Sequence, residues 1–93
     1  MPAMNDTPET RGFQFPGQFE ITAMGPADAG LLELVPALLH DLGLEVARET
    51  LRTRPSSKGA YVSVAVSFTA HSREDYDAAH GALRGHPAVK WTL

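Results

Sequence analysis

The sequence predicts an α+β fold, a two-layer sandwich in which a four-stranded antiparallel sheet carries two helices on one face. Four short segments have the pattern of strands. Two other segments, one after the first strand and one after the third, carry apolar residues at the helical period. Their order within residues 18–93 is β-α-β-β-α-β, the ferredoxin-like arrangement. Because both crossovers are helical, both helices are expected to cover the same face of the sheet.

The first strand and the first helix follow from two clear patterns. Residues 18–24 alternate between apolar and polar side chains, which is typical of a half-buried strand. Six apolar residues then recur at helical spacing, namely Leu31, Leu34, Val35, Leu38, Leu39 and Leu42. We expect Asp28 to be the N-cap of this helix and Gly43 to follow its C-terminal end. Pro36 lies inside the stripe and predicts a kink, or a helix that begins later than the stripe suggests.

Two strands joined by a short turn come next. Residues 44–53 are predicted as a strand whose apolar phase slips between Val46 and Leu51, which indicates a β-bulge. Residues 61–69 alternate without interruption and form the clearest strand pattern in the chain.

The last part of the chain is predicted as a helix and a final strand. Ser72 is expected to cap the helix, with Asp75 at the third helical position. Its inner side is expected to carry Tyr76, Ala79 and Leu83. Residues 85–87 end the helix, and the last strand is predicted to turn Val89, Trp91 and Leu93 to one side.

Composition limits the domain organisation and the function. Residues 1–12 are polar and without periodicity and are predicted to be a disordered tail, so that residues 13–93 form one domain. The chain has no cysteine, which fits the cytoplasm and excludes disulfides and thiolate chemistry. The formal charge of −3 disfavours a nucleic-acid partner, and no apolar run is long enough to cross a membrane. The histidines have no ligand spacing, so neither a metal nor a cofactor is expected.

The sheet face without helices is expected to be small and polar. If the apolar phases pack under the helices, that face carries Glu20, Thr22, Tyr61, Ser63, Ala65, Ser67, Thr69, Lys90 and Thr92. A sheet that stacks RNA bases needs two or three aromatic residues on this face, and Tyr61 alone is expected here. Dimers that pair face to face have an apolar interface core, which this polar face does not offer, so we expect a monomer or a weak dimer.

The turn at Pro55, Ser56, Ser57, Lys58 and Gly59 is the first candidate site. Its amides, two hydroxyls and one ammonium group are suited to hold a small anion or a carboxylate. The alternative is a hairpin connection that uses these residues for turn geometry only.

A group of basic residues before this turn is the second candidate. Arg48, Arg52 and Arg54 share one strand face if no bulge intervenes, and Lys58 lies just beyond them. Such a patch favours an acidic partner or an anionic ligand, and the alternative is a solvated edge strand.

The run PSSKGAYVSV at residues 55–64, with Phe15-Pro16 and Met24-Gly25 before it, resembles the YbeD-like, UPF0250-type family of small bacterial proteins of unknown function. The resemblance covers residues 13–93. It implies a fold similar to ACT-type regulatory domains, which bind amino acids and control metabolic enzymes. It also implies a regulatory link to lipoate synthesis, because family members often lie near those genes, and it implies no established catalytic activity.

Carried over by position, the resemblance marks the residues of the turn and two of the strand that follows, namely Pro55, Ser56, Ser57, Lys58, Gly59, Tyr61 and Ser63. The chain departs from the ACT pattern at Pro26, which removes an amide donor from the loop after the first strand.

These observations predict a non-enzymatic regulatory or adaptor domain. The turn residues, together with Arg52 and Arg54, are expected to recognise a partner protein or a small anion. The alternative is an ACT-like dimeric sensor of an amino acid or another small metabolite, with its site near residues 24–31. An enzyme that uses Lys58 as an electrophile is a third hypothesis, and it lacks a companion base nearby in the sequence.

Overall fold

The sheet and its helices follow the predicted order along the chain. The computed structural model describes residues 14–93, so the predicted tail and Phe13 lie outside the described residues. The elements are β1 (Gly17–Pro26), α1 (Leu31–Asp41), β2 (Glu45–Pro55), β3 (Tyr61–Ala70), α2 (Arg73–Arg84) and β4 (Trp91–Thr92). The sheet is antiparallel with strand order β2-β3-β1-β4, which confirms the predicted α+β, ferredoxin-like fold class.

The core lies between the two helices and one face of the sheet. The central strands β1 and β3 contribute Ile21, Ala23, Val64, Val66 and Phe68, and the helices contribute Leu31, Val35, Leu39, Ala79 and Leu83. All of these side chains are almost completely buried. The inner residues predicted for both helices are confirmed except Leu42, which follows the end of α1 and is 43% exposed.

The residue predicted at the N-terminal end of α1 is wrong, and the residue predicted at its C-terminal end is confirmed. Gly30, with φ 73°, precedes the helix, and no side chain caps it, so the predicted N-cap Asp28 is wrong. Asp28 lies instead in a turn closed by a hydrogen bond from Ala29 N to the Pro26 carbonyl. Gly43 is confirmed at the C-terminal end, where its φ of 84° allows its amide to donate to the His40 carbonyl.

Pro36 is accommodated inside α1. The helix begins at Leu31, so the later start, one of the two predicted alternatives, is wrong. The proline ring is completely buried, and burial of its apolar surface opposes the cost of the lost backbone hydrogen bond.

The N-terminus of α2 has the predicted cap. Ser72 Oγ accepts a hydrogen bond from Asp75 N at 3.2 Å, and Asp75 Oδ2 accepts one from His71 N at 3.0 Å. This reciprocal pair satisfies two amides at the start of the helix.

The bulge predicted in β2 is confirmed and is larger than one residue. Residues 48–51 of β2 stand opposite Val66 alone, between the pairs Ala47–Ser67 and Arg52–Ala65. Thr50 bridges the gap, because its Oγ1 donates to the Ala47 carbonyl at 2.6 Å and accepts from Ser67 N at 2.8 Å. One side-chain hydroxyl thus replaces part of the missing backbone ladder.

The predicted phase of the last strand is wrong. Trp91 pairs with Met24 on the open face of the sheet, and Thr92 pairs with the buried Ala23. Val89 reaches the core from a turn, in which its amide donates to the His86 carbonyl, so the strand alternation does not extend back to it. The open face therefore carries a second aromatic residue. None of the helices within residues 14–93 is long and apolar enough to span a bilayer.

His80 on α2 is expected to make the stability of the protein depend on pH. Desolvation lowers its pKa below the ordinary 6.5, the nearby Arg84 lowers it further, and Asp77 raises it in part. Its Nε2 atom is shielded from solvent and has no hydrogen-bond partner among the described residues. Because the unfolded chain binds the proton more tightly than the folded chain, the free energy of unfolding should fall as the pH drops through about 6.5.

Denaturant unfolding between about pH 7.5 and pH 5.5 measures this effect. His80→Gln should flatten the slope, whereas the same replacement of the exposed His40 should leave it in place. A slope that is equally steep in His80→Gln would contradict the assignment.

Candidate functional site

Four residues form a row across the open face of the sheet, one from each strand. Arg54 stands opposite Ser63, Ser63 opposite Met24, and Met24 opposite Trp91. Because directly paired residues point to the same face, these four side chains lie next to one another.

A cleft of about 360 Å³ lies on this row. It is lined by Met24, Arg54, Pro55, Ser56, Tyr61, Val62, Ser63 and Trp91. The rings of Tyr61 and Trp91 meet edge to face, with centroids 5.8 Å apart and an interplanar angle of 67°. Both rings remain substantially exposed, 43% for Tyr61 and 56% for Trp91, so their apolar surface is free to contact a ligand.

A second, more polar hollow of about 280 Å³ adjoins the cleft. It is lined by Arg52, Thr53, Arg54 and Ser63, and so shares Arg54 and Ser63 with the cleft. Arg52 Nη2 forms an ion pair with Glu20 Oε2 at 2.6 Å. Within residues 14–93, Arg54 has no such carboxylate partner.

The three arginines of β2 do not form one patch. The bulge at residues 48–51 separates Arg48 from the positions of Arg52 and Arg54. The condition for a shared face, that no bulge intervene, is therefore not met for Arg48.

The hairpin connection holds itself together through Ser56. Ser56 N donates to the Tyr61 carbonyl at 2.8 Å, and Ser56 Oγ accepts from Tyr61 N at 3.2 Å. Gly59 N donates to the Ser56 carbonyl at 3.0 Å, and Gly59 has a φ of 75°. The turn-geometry interpretation thus accounts for Ser56 and Gly59.

Ser57 and Lys58 occupy the exposed tip of this connection and do not line the cleft. The structure therefore divides the predicted site. Five of its residues line the cleft, namely Arg54, Pro55, Ser56, Tyr61 and Ser63, while Arg52 lines only the second hollow.

The loop after β1, where the ACT-like alternative places its ligand, contacts the hairpin tip. Ala27 N donates to the Ala60 carbonyl at 3.0 Å, so this amide is already used within the protein. Of residues 24–31, Met24 alone lines the cleft.

Sequence reasoning missed Met24 and Trp91. Trp91 was assigned to the helix-covered side, and Met24 was considered only as the first residue of the ACT-like site at residues 24–31, not together with the hairpin. The signal that identifies both is their direct pairing across β1 and β4, which only the strand register reveals.

The cleft has a composition suited to binding. Its lining includes no histidine, aspartate or glutamate, so it offers no carboxylate or imidazole as a general base. Among the described residues, no three histidine, aspartate or glutamate side chains are grouped to hold a metal ion.

Comparisons with known proteins match this chain to a family of unknown function. The family model described as "Protein of unknown function (DUF493)" matches residues 10–93. The chain is 55% identical over 93 residues to a UPF0250 protein of Stenotrophomonas maltophilia, and 53% identical over 93 residues to one of Xanthomonas oryzae pv. oryzae. Both matches cover 100% of each chain.

The fold also resembles that of a solved structure. The solution structure of protein HP0495 from H. pylori matches with a TM-score of 0.71 and 17% identity, covering 100% of this chain and 94% of the other. At that identity the match shows a shared fold.

Proposed function

The chain belongs to DUF493, a family of proteins of unknown function, and we propose that it is a non-enzymatic binding domain of the regulatory or adaptor type. The recognition site is the cleft on the open face, with the hairpin beside it. The partner is a protein or a small anion, and the setting is the bacterial cytoplasm.

The observation that carries this proposal is the exposed aromatic pair at the cleft. Tyr61 and Trp91 leave large apolar surfaces open to solvent, next to a guanidinium group that has no carboxylate partner within residues 14–93. Exposed aromatic and arginine side chains are the residues that contribute most to recognition in protein interfaces. The absence of histidine, aspartate and glutamate from the lining favours recognition over catalysis.

Amide-resolved NMR titration of the labelled protein tests the proposal. The compounds are amino acids, phosphate compounds and lipoyl and octanoyl derivatives, the last because the family resemblance implies a link to lipoate synthesis. Shifts that cluster at residues 54–63 and at Trp91 are expected. Shifts confined to residues 26–31, together with a concentration-dependent dimer in sedimentation, would instead support the ACT-like sensor.

The exposed tip permits a variant that separates recognition from folding. The double replacement Ser57→Ala and Lys58→Ala removes two exposed side chains for which no internal hydrogen bond or ion pair is seen among the described residues. It should weaken capture of the partner while changing the melting temperature by no more than a few degrees, as for other exposed positions. Loss of the fold in this variant would show that the tip is structural.

A further inference from the structure

The cleft and the second hollow form one continuous surface with two chemical parts. The cleft is mainly apolar, with Tyr61, Trp91 and Met24 along it, and the hollow is cationic. Because Arg54 and Ser63 line both, a ligand in the cleft lies next to a guanidinium group. A ligand that fits both parts therefore needs an apolar group and a negative charge.

The charges of this surface are incompletely compensated. Glu20 neutralises Arg52, whereas within residues 14–93 no carboxylate lies within 4.0 Å of Arg54 or Lys58. An acidic group brought to Arg54 thus forms a charge-assisted pair without displacing an internal partner.

The distance from Arg54 to Trp91 along the row favours a peptide over a small ion. Arg54 and Trp91 lie on the two edge strands, three strand spacings apart, which is about 14 Å between Cα atoms at about 4.8 Å per spacing. An extended peptide advances about 3.3 Å per residue, so about four residues span this distance. A phosphate or acetate ion contacts Arg54 and leaves the aromatic pair uncovered.

Two aromatic residues on the open face resemble a surface for stacking bases, but a nucleic acid fits this surface less well than a peptide does. Binding of a phosphate backbone depends on the neutralisation of several phosphates. Here the protein carries a formal charge of −3, and the hairpin offers two uncompensated cations, Arg54 and Lys58, among the described residues.

We propose that this surface binds an acidic protein segment in extended conformation. An aromatic or large aliphatic side chain of the segment packs in the cleft against Tyr61 and Trp91. A carboxylate three or four residues along the segment pairs with Arg54. This inference rests on the proposed function and specifies the class of partner.

Trp91 supplies the readout, because it is the chain's only tryptophan and it lies in the cleft. The probe is a short acetylated and amidated peptide without tryptophan, which carries one phenylalanine and glutamates three and four residues after it. A saturable change in Trp91 fluorescence is expected. Replacing the phenylalanine of the peptide by alanine should weaken binding by about tenfold or more, and replacing its glutamates by lysines should abolish it.

Variants of the protein test the same contacts. Arg54→Gln should weaken binding of the peptide by about three- to tenfold, as expected for the loss of an exposed charge-assisted pair. Arg48→Gln is the matched control, since it removes the same charge from the same strand beyond the bulge, and it should leave binding unchanged. Tyr61→Ala keeps the fluorescent reporter and should weaken binding by about tenfold.

The outcomes separate this inference from the proposed function. Equal binding of the alanine peptide, or equal effects of Arg54→Gln and Arg48→Gln, would overturn the inference. Inorganic phosphate or an oligouridylate that binds in place of the peptide, with the same dependence on Arg54, would also overturn it and leave the cleft as a recognition site. A cleft that responds to neither the peptide nor any compound of the NMR titration would overturn the proposed site as well.

Discussion

Gly25→Ala is expected to destabilise the protein by about 3 kcal/mol, because a Cβ atom at this position has no room. Gly25 is buried in β1, where that atom would overlap the Ala88 carbonyl oxygen and lie 3.0 Å from Leu31 Cδ1. The carbonyl belongs to the backbone and cannot move without displacing the segment that leads into β4. The backbone of Gly25 is not left-handed, so the cost comes from packing and not from φ.

Denaturant unfolding monitored by circular dichroism measures this loss. Gly81→Ala is the control, since nothing lies within 4 Å of the added atom in α2. There the replacement should stabilise the protein by about 0.5–1 kcal/mol, because alanine favours a helix interior. Equal stability of the Gly25→Ala and wild-type proteins would show that the segment before β4 moves at little cost to make room for the added atom.

Phe68→Ala should be at least as damaging, with a loss of about 4 kcal/mol. Phe68 is completely buried in β3 and contacts the rings of Phe19 and Tyr76, with centroids 6.3 Å and 6.5 Å away. Removing it takes apolar surface from the centre of the core and leaves a cavity between the sheet and α2.

Tyr61→Ala is the matched control for this replacement, because it removes an aromatic ring from the open face of the same strand. Tyr61 is 43% exposed, so its loss should cost about 1 kcal/mol or less. The two replacements should thus separate the aromatic residue that supports the fold from the one that we propose for recognition. Similar losses in both variants would contradict this division.

Periodic patterns explain why so much of the fold could be predicted. The stripe of α1 and the alternation of β3 extend over enough residues for the period to be unambiguous, and the Ser72 and Gly43 caps are local in sequence. The short β4 lacks this support. Two residues cannot define a period, and the buried Val89 just before it suggested the wrong phase.

The candidate site was predicted in part, for a related reason. Residues 54–63 are neighbours in sequence, so the hairpin was recognised from its composition. The cleft also needs Met24 and Trp91, which come from distant parts of the chain and join it through strand pairing. Sequence proximity also grouped Ser57 and Lys58 with the cleft, whereas the turn directs them to its exposed tip.

The bulge in β2 has a consequence for the behaviour of the protein at high concentration. β2 is an edge strand of 11 residues, long enough to offer its outer backbone groups to the edge of another molecule. Its regular pairing with β3 is limited to residues 45–47 and 52–55, with the irregular segment between them. An incoming strand therefore finds no straight run of more than four residues. The irregularity thus protects the molecule against edge-to-edge aggregation.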